Sequence, residues 1–334
     1  MNEPVLTIVV PCYNEEEVLF ETTSQLSEVL SSLIAEKLAA PTSKILYVDD
    51  GSSDKTWELI EELSQQHSFV KGIKLTRNYG HQKALLAGLE TARKRSDCVI
   101  SIDADLQDDV SVIREFMVKY FEGYDIVYGV RESRDTDTFF KRATAQGFYR
   151  FMNKMGVNVV YNHADYRLLS KRALEELSRY PEQNLFLRGI VSLIGLKSTK
   201  VYYDRKERFA GVSKYPLKKM LAFAFDGITS FSIVPIRMIT AIGALSFFIS
   251  SLAGIYALVV KFLGRAELGW TSIIISIWFI GGLLLMSVGL IGEYIGKIYE
   301  ETKNRPRFSI ETDLFSEEET HGKEKSLYFS RRTE

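Results

Sequence analysis

Two runs near the carboxyl end, Met238 to Val260 and Leu268 to about Ile291, contain no charged residue, and no other stretch narrows the fold as much. At about 1.5 Å per residue the first spans about 34 Å, enough for a hydrocarbon core of about 30 Å. Uncharged runs of this length seldom occur in soluble domains, so two membrane helices are expected within residues 233–296. Basic residues collect outside the pair, at Lys214, Lys218, Lys219 and Arg237 before it and Lys297, Lys303, Arg305 and Arg307 after it. The connection holds Lys261, Arg265 and Glu267. The positive-inside rule then places both flanks and both termini in the cytoplasm. Upstream, Leu217, Met220, Leu221, Ala224 and Ile228 share a helical face opposite Lys218, Lys219 and Asp226, which predicts an amphipathic helix on the bilayer over 214–232. The tail 297–334 is charged, and after about Ser309 it lacks periodicity and is expected to be mobile.

Residues 1–213 read as a soluble α/β domain. The runs LTIVVP, KILYVD, VKGIKL, CVIS and YDIVYGV alternate with helical patterns, including one from about His81. Alternation of this kind predicts a mostly parallel sheet with helices on both faces. Ser53 or Asp54 is placed to cap the helix after KILYVD. Two later strands are expected, HADYRLLS with Asp165 near its start and LKSTKVYY before a basic loop. The amino-terminal MNEP lacks the pattern of a signal peptide, and Cys12 and Cys98 lie in apolar runs as reduced core thiols. A net charge of −1 argues against a nucleic-acid partner.

Ligands of such sheets sit beyond the carboxyl ends of the strands, where Asn14, Glu15, Asp49, Asp50, Asp103 and Asp105 fall. In extended backbone Asp103 and Asp105 share a face, two hard oxygen donors suited to Mg²⁺ or Mn²⁺ and a substrate diphosphate. An acidic loop ending a strand is the plain alternative for this triplet. No glycine-rich nucleotide fingerprint follows the first strand and no P-loop occurs, so a metal would have to bridge acids and phosphates. Residues 131–155 interleave Arg131, Arg134, Lys141, Arg142 and Arg150 with aromatics. A solvated amphipathic helix and a membrane-bordering phosphate grip both fit them.

The stretches VVPCYNEEE, VDDGSSDKT, LTRNYGHQKALLAGL, DADLQDD and ADYRLLS, with the paired apolar runs, occur in the order found in polyprenyl-phosphate glycosyltransferases of glycosyltransferase family 2. The chain resembles that family, undecaprenyl-phosphate sugar transferases and dolichyl-phosphate mannose synthases included, to about residue 308. The resemblance implies a GT-A fold followed by a two-helix membrane hairpin. It also implies a metal-dependent, inverting hexosyltransferase at the plasma membrane, taking a nucleotide-sugar donor, UDP-glucose or UDP-N-acetylglucosamine, to a polyprenyl phosphate for cell-envelope glycans. Pro11, Tyr13, Glu15, Asp49 and Asp50 match positions that hold the nucleotide. Arg77 sits in a segment that lies near the nucleotide in the family, the alternative being helix-entry packing by Asn78, Tyr79 and Gly80. Asp103, Asp105 and Gln107 match the metal and diphosphate site. Asp165 matches the acid assigned to catalysis, as a base or as an orienting group. With Asp105, the basic Arg205, Arg208 and Lys214 are expected to serve catalysis, and Arg131, Arg134 and Arg142 the acceptor phosphate. The bilayer, a homo-oligomer and a downstream flippase and transferase are the expected partners. Polymerising relatives carry Gln-x-x-Arg-Trp, whereas here Gln183 leads through Arg188 to Gly189 without the tryptophan.

Two rivals stay open: a membrane-tethered nucleotide-binding scaffold, and transfer to a protein or soluble glycan. Removal of everything from Pro216 onward is expected to leave the acidic sheet edge untouched.

Overall fold

Strands covered on both faces have no need of alternating polarity, and LTIVVPC, KILYVD and CVIS are buried almost throughout. The computed structural model describes residues 3–131, 163–183, 187–204, 232, 234–263 and 269–316. Arg134, Arg142, Arg205, Arg208, Lys214, the 214–232 helix and most of the connection between the apolar runs lie outside the described residues. The strands are β1 (Leu6–Cys12), β2 (Lys44–Asp49), β3 (Val70–Leu75), β4 (Cys98–Ser101), β5 (Ile126–Arg131), β6 (His163–Ser170), β7 (Ser198–Tyr203) and β8 (Ile310–Asp313). They form one sheet in the order β7-β5-β6-β4-β1-β2-β3-β8. Pairs β1/β2, β1/β4, β2/β3 and β5/β7 are parallel. Strand β6 runs against β4 and β5, and β8 runs against β3.

Helix α1 (Leu19–Ala35) lays Leu19, Leu26, Leu30 and Leu33 over Leu6, Ile8, Val10 and Tyr47, and α4 (Ile113–Phe121) adds Phe116 and Met117. Each fully buried aliphatic or aromatic side chain here contributes about 1.5–3 kcal/mol. Helix α3 (His81–Arg93) covers the opposite face, where a Cβ on Gly88 would come within 2.4 Å of Val9. Only glycine permits that helix-to-sheet distance. The expected cap by Ser53 or Asp54 is not made: the N-cap of α2 (Thr56–Gln66) is Lys55 with no side-chain cap bond, and Asp54, one residue earlier, accepts the Thr56 amide in a local turn. Shorter helices α5 (Lys171–Leu177) and α6 (Leu187–Leu193) follow β6. Cys12 and Cys98 are free and buried.

The apolar runs form helices α7 (Val234–Phe262) and α8 (Trp270–Thr302), the second continuing past Ile291. Described residues before 205 and those from Arg305 onward make one compact unit, and those between belong to a second. Within the second, Leu245, Leu252, Tyr256, Leu284, Leu285 and Met286 are exposed. Among the described residues one segment, Phe279–Thr302, is long and apolar enough to cross a membrane.

The expectation of a mobile tail after Ser309 is corrected for residues 310–316, the rest of the tail lying outside the described residues. Ile310–Asp313 pairs with β3, Phe315 is buried, and Arg95 donates to the Phe315 carbonyl at 2.7 Å. An open edge on β3 supplied unpaired amides and carbonyls, and a segment without amphipathic periodicity is sufficient to satisfy them.

Candidate active site

Parallel pairing of β1, β2, β3 and β4 brings the loops after all four strands to one sheet edge. Because β6 is antiparallel, its start lies at that same edge, with Arg167 opposite Ser101 and the Ser101 hydroxyl donating to the Asp165 carbonyl at 2.5 Å. Asp165 thereby arrives beside the loop that carries Asp103. The strand ends at Ser101, and Ala104 and Asp105 are in a turn, so Asp103 and Asp105 lie past the strand and do not continue it as the sequence expectation had them. Pairing with β1 stops at Val9, whose carbonyl accepts the Ile102 amide, and beyond that nothing holds the chain extended. Within the turn Leu106 takes a φ of 55°, a conformation that costs a branched side chain about 1–2 kcal/mol. The Asp105 carboxylate accepts the Gln107 amide at 3.2 Å.

Asp165 is buried and held by two guanidinium groups. Arg167 of β6 donates to Oδ1, and Arg188 of α6 donates through Nη2 to Oδ2 at 3.0 Å and through Nε to Oδ1 at 3.3 Å. His81, the first residue of α3, places Nε2 at 3.5 Å from both Asp165 Oδ2 and Asp103 Oδ1. The Leu187 amide donates to Gln82 at 3.1 Å, which ties the start of α6 to that of α3. Burial pushes the Asp165 carboxyl up, but Arg188, His81 and Arg167 outweigh it and hold it well below the usual range. Burial lowers the His81 imidazole, yet the Asp165 bond and the charges of Asp103 and Asp165 lift it to about 9. Asp103 is pushed up to about 6, chiefly by burial, with His81 opposing and Asp108, Asp165 and Asp105 adding.

Asp103 Oδ1 is enclosed and has no hydrogen-bond partner. The His81 imidazole stands 3.5 Å away and outside hydrogen-bond geometry, so the oxygen keeps its lone pairs and the donor types of Asp103, Asp105 and Gln107 fit a hard divalent ion. Among the described residues no group of three His, Cys, Asp or Glu side chains is gathered for a metal. Such an ion would complete its shell with water and substrate phosphate.

The acids of β2 are engaged differently. Asp50 accepts the amides of Tyr79 at 2.7 Å and Gly80 at 2.9 Å, and Asp49 accepts the Ser52 amide at 3.2 Å. Burial raises both carboxyls, partly offset by these bonds. Gly51 has a φ of 66°, and a Cβ there would lie 2.6 Å from the Arg77 backbone, so the loops after β2 and β3 touch through a glycine. Asn14 accepts the Ser53 amide at 2.9 Å, and Thr56 Oγ1 accepts the Glu15 amide at 2.9 Å. Pro11 is buried inside β1, and Tyr13 is exposed beside it. Arg77 is exposed, its guanidinium 4.2 Å from the Tyr79 ring centroid. The hydroxyls of Thr76 and Ser309 lower the Tyr79 phenol from its usual value.

Arg131, expected at the acceptor phosphate, is paired with buried Asp108 at 2.9 Å, and the Tyr203 hydroxyl donates to the same oxygen at 2.6 Å. A phosphate reaching Arg131 therefore competes with that carboxylate. Sequence reading missed His81, Arg167, Arg188 and Asp108. One signal was available, since Asp165 and Arg167 alternate onto one face of β6. His81 lies in the stretch LTRNYGHQKALLAGL and Arg188 in the segment compared with Gln-x-x-Arg-Trp, but neither stretch says that the two residues meet Asp165.

The cluster stands at one end of a mostly parallel sheet with helices on both faces. The profile of glycosyl transferase family 2 matches residues 7–178. The chain is 66% identical over 317 residues to the uncharacterized glycosyltransferase YkoT of Bacillus subtilis strain 168, covering 95% of this chain and 94% of that one. It is 38% identical over 312 residues to the bactoprenol glucosyl transferase of Shigella phage SfX, covering 92% and 99%. Identity is also 38% over 313 residues to the prophage bactoprenol glucosyl transferase homolog of Escherichia coli K12, covering 91% and 98%. The chain belongs to glycosyl transferase family 2, and it is a glycosyltransferase.

Proposed function

We propose that the enzyme transfers glucose or N-acetylglucosamine from its UDP derivative to undecaprenyl phosphate, with inversion at the anomeric carbon, for modification of cell-envelope glycans. One observation carries the reading: the similarity to a bactoprenol glucosyl transferase extends over 92% of this chain and 99% of that relative. Such coverage takes in the apolar helices as well as the sheet. Pro11, Tyr13, Glu15, Asp49, Asp50 and Arg77 serve the donor side. Asp103, Asp105 and Gln107 would hold Mg²⁺ or Mn²⁺, which supplies positive charge to the departing diphosphate when bound.

The acceptor needs little help from a base, because a phosphate monoester has a second pKa of about 6 and is already anionic near neutral pH. Asp165 is a poor proton acceptor there, since Arg167 and Arg188 stabilise its ionised form. Its role in this reading is to fix Arg188 and His81 beside Asp103. Bringing two anions together is the harder problem, and Arg131, Arg134, Arg142, Arg205, Arg208 and Lys214 supply the opposing charge. Helices α7 and α8 both span the bilayer in this reading and keep the catalytic unit at the cytoplasmic face.

Membranes containing the enzyme, incubated with undecaprenyl phosphate and a panel of labelled sugar nucleotides, are expected to give an organic-extractable product from one UDP-sugar, abolished by EDTA. Label in protein or soluble glycan overturns the acceptor. With Cys12 and Cys98 replaced, an impermeant thiol reagent on intact cells is expected to label Gly264→Cys and spare Thr302→Cys. The reverse pattern overturns the orientation.

A further inference from the structure

The segment that follows α8 makes a continuous series of contacts along one side of the catalytic unit. The Gln183 side chain donates to the Arg305 carbonyl at 2.7 Å. Arg307 donates to the Tyr180 carbonyl at 3.0 Å and pairs with Glu90. Next, the Thr76 amide donates to the Ser309 carbonyl at 3.0 Å, and Ile310–Asp313 runs antiparallel to β3. The Leu314 amide donates to the Gly72 carbonyl at 3.0 Å, and Phe315 closes the series under the Arg95 guanidinium, 5.4 Å from its ring centroid.

These anchor points are not spread at random. Thr76 opens the loop that carries Arg77 and Tyr79 and ends at His81, the residue between Asp103 and Asp165. Tyr180 and Gln183 lie on the stretch leading to Arg188, which grips Asp165. On the far side of the Thr76–His81 loop stands Asp50, which accepts the amides of Tyr79 and Gly80. The loop is therefore held from two sides, by the Asp50 carboxylate and by the backbone of Ser309.

We propose that residues 305–316 form a strap whose contacts with Thr76 and β3 position the Arg77–His81 loop for donor binding, so that the segment following the apolar helices helps to build the active site. Ser309 and Phe315 act as positioning residues, through Arg77 and His81. The inference rests on the proposed donor role of that loop. On this proposal a cut from Pro216 onward, expected to spare the acidic end of the sheet, would also remove β8 and leave the side of β3 unpaired.

Two full-membrane forms test it: a chain ending at Arg307, which keeps α7 and α8, and Phe315→Ala, which loosens the strap without shortening it. Hydrogen exchange at the Thr76, Tyr79 and Gly80 amides is expected to quicken at least about tenfold in both, with exchange in β1 and β4 unchanged. The KM for the UDP-sugar should rise about fivefold to tenfold, as the loss of one or two hydrogen bonds predicts. Turnover at saturating donor and the KM for undecaprenyl phosphate should stay within about twofold. Unchanged exchange at those three amides in Phe315→Ala overturns the strap, whatever the activity. Parallel losses in turnover and in both KM values also overturn it, in favour of general destabilisation. Should the wild-type enzyme use no UDP-sugar, the donor reading fails, and the exchange result still decides the strap.

Discussion

Two groups of acids share one sheet edge and are used in opposite ways. After β2, Asp49 and Asp50 direct their oxygens at backbone amides, of Ser52 in one case and of Tyr79 and Gly80 in the other. Across β1, Asp103 and Asp165 face side-chain cations: Asp165 is bonded by Arg188, and Asp103 Oδ1 stands 3.5 Å from His81 without a hydrogen bond. The first arrangement fixes loop shape, since a carboxylate that accepts two amides locks the backbone it touches. The second gathers charges of both signs beside the loop after β4. Residue type and position at the sheet edge do not separate the two; the identity of the partner does.

The comparison is open to direct attack. The largest effect is expected at the proposed metal anchors: Asp103→Asn, and likewise Asp105→Asn, should cut transfer by at least about 10³, because removing a cation's anchor forfeits several kcal/mol of transition-state stabilisation. Circular dichroism should stay unchanged, and near wild-type transfer by either variant removes the metal assignment. Asp165→Asn comes next, with turnover lower by about 10² and the donor KM within about threefold, as for a group acting in the transition state. It should also lower stability by about 3–5 kcal/mol in denaturant titration, since Arg167 is left buried without its counter-charge. Equal losses in turnover and donor affinity would move Asp165 to ground-state binding. Smallest is Asp50→Asn, where one amide keeps an acceptor and the other meets an NH₂ group. Donor KM should rise about fivefold with turnover unchanged, and stability should fall by about 1.5–3 kcal/mol. If Asp50→Asn reduces turnover as far as Asp165→Asn does, the two groups are not different in kind.

Much of this molecule is local, and the local part was legible. The strands KILYVD and VKGIKL run over Lys44–Asp49 and Val70–Leu75, and the helix expected from about His81 begins there. Apolar runs bounded by turn residues report their own conformation, because side-chain burial and turn chemistry act over a few positions. The two uncharged runs likewise predicted long helices, and α7 and α8 are long helices. Asp103, Asp105 and Asp165 were picked out from the sequence by type and resemblance, without knowledge of what each would face.

Partners across the sheet were not legible. The reversal of β6 brings Asp165 to Asp103, and no residue within HADYRLLS states its direction, since both directions satisfy the same backbone groups. His81 and Arg188 are unremarkable at the starts of two helices until α3 and α6 meet through Gln82 and Leu187. The tail from Ser309 has too few apolar residues to announce a strand, yet β3 had an edge to fill. Periodicity within the chain determined which segments fold and which face of each is buried. Tertiary structure alone decided which charges meet, because pairing and direction depend on residues far apart in sequence whose contact is settled by packing of the whole sheet.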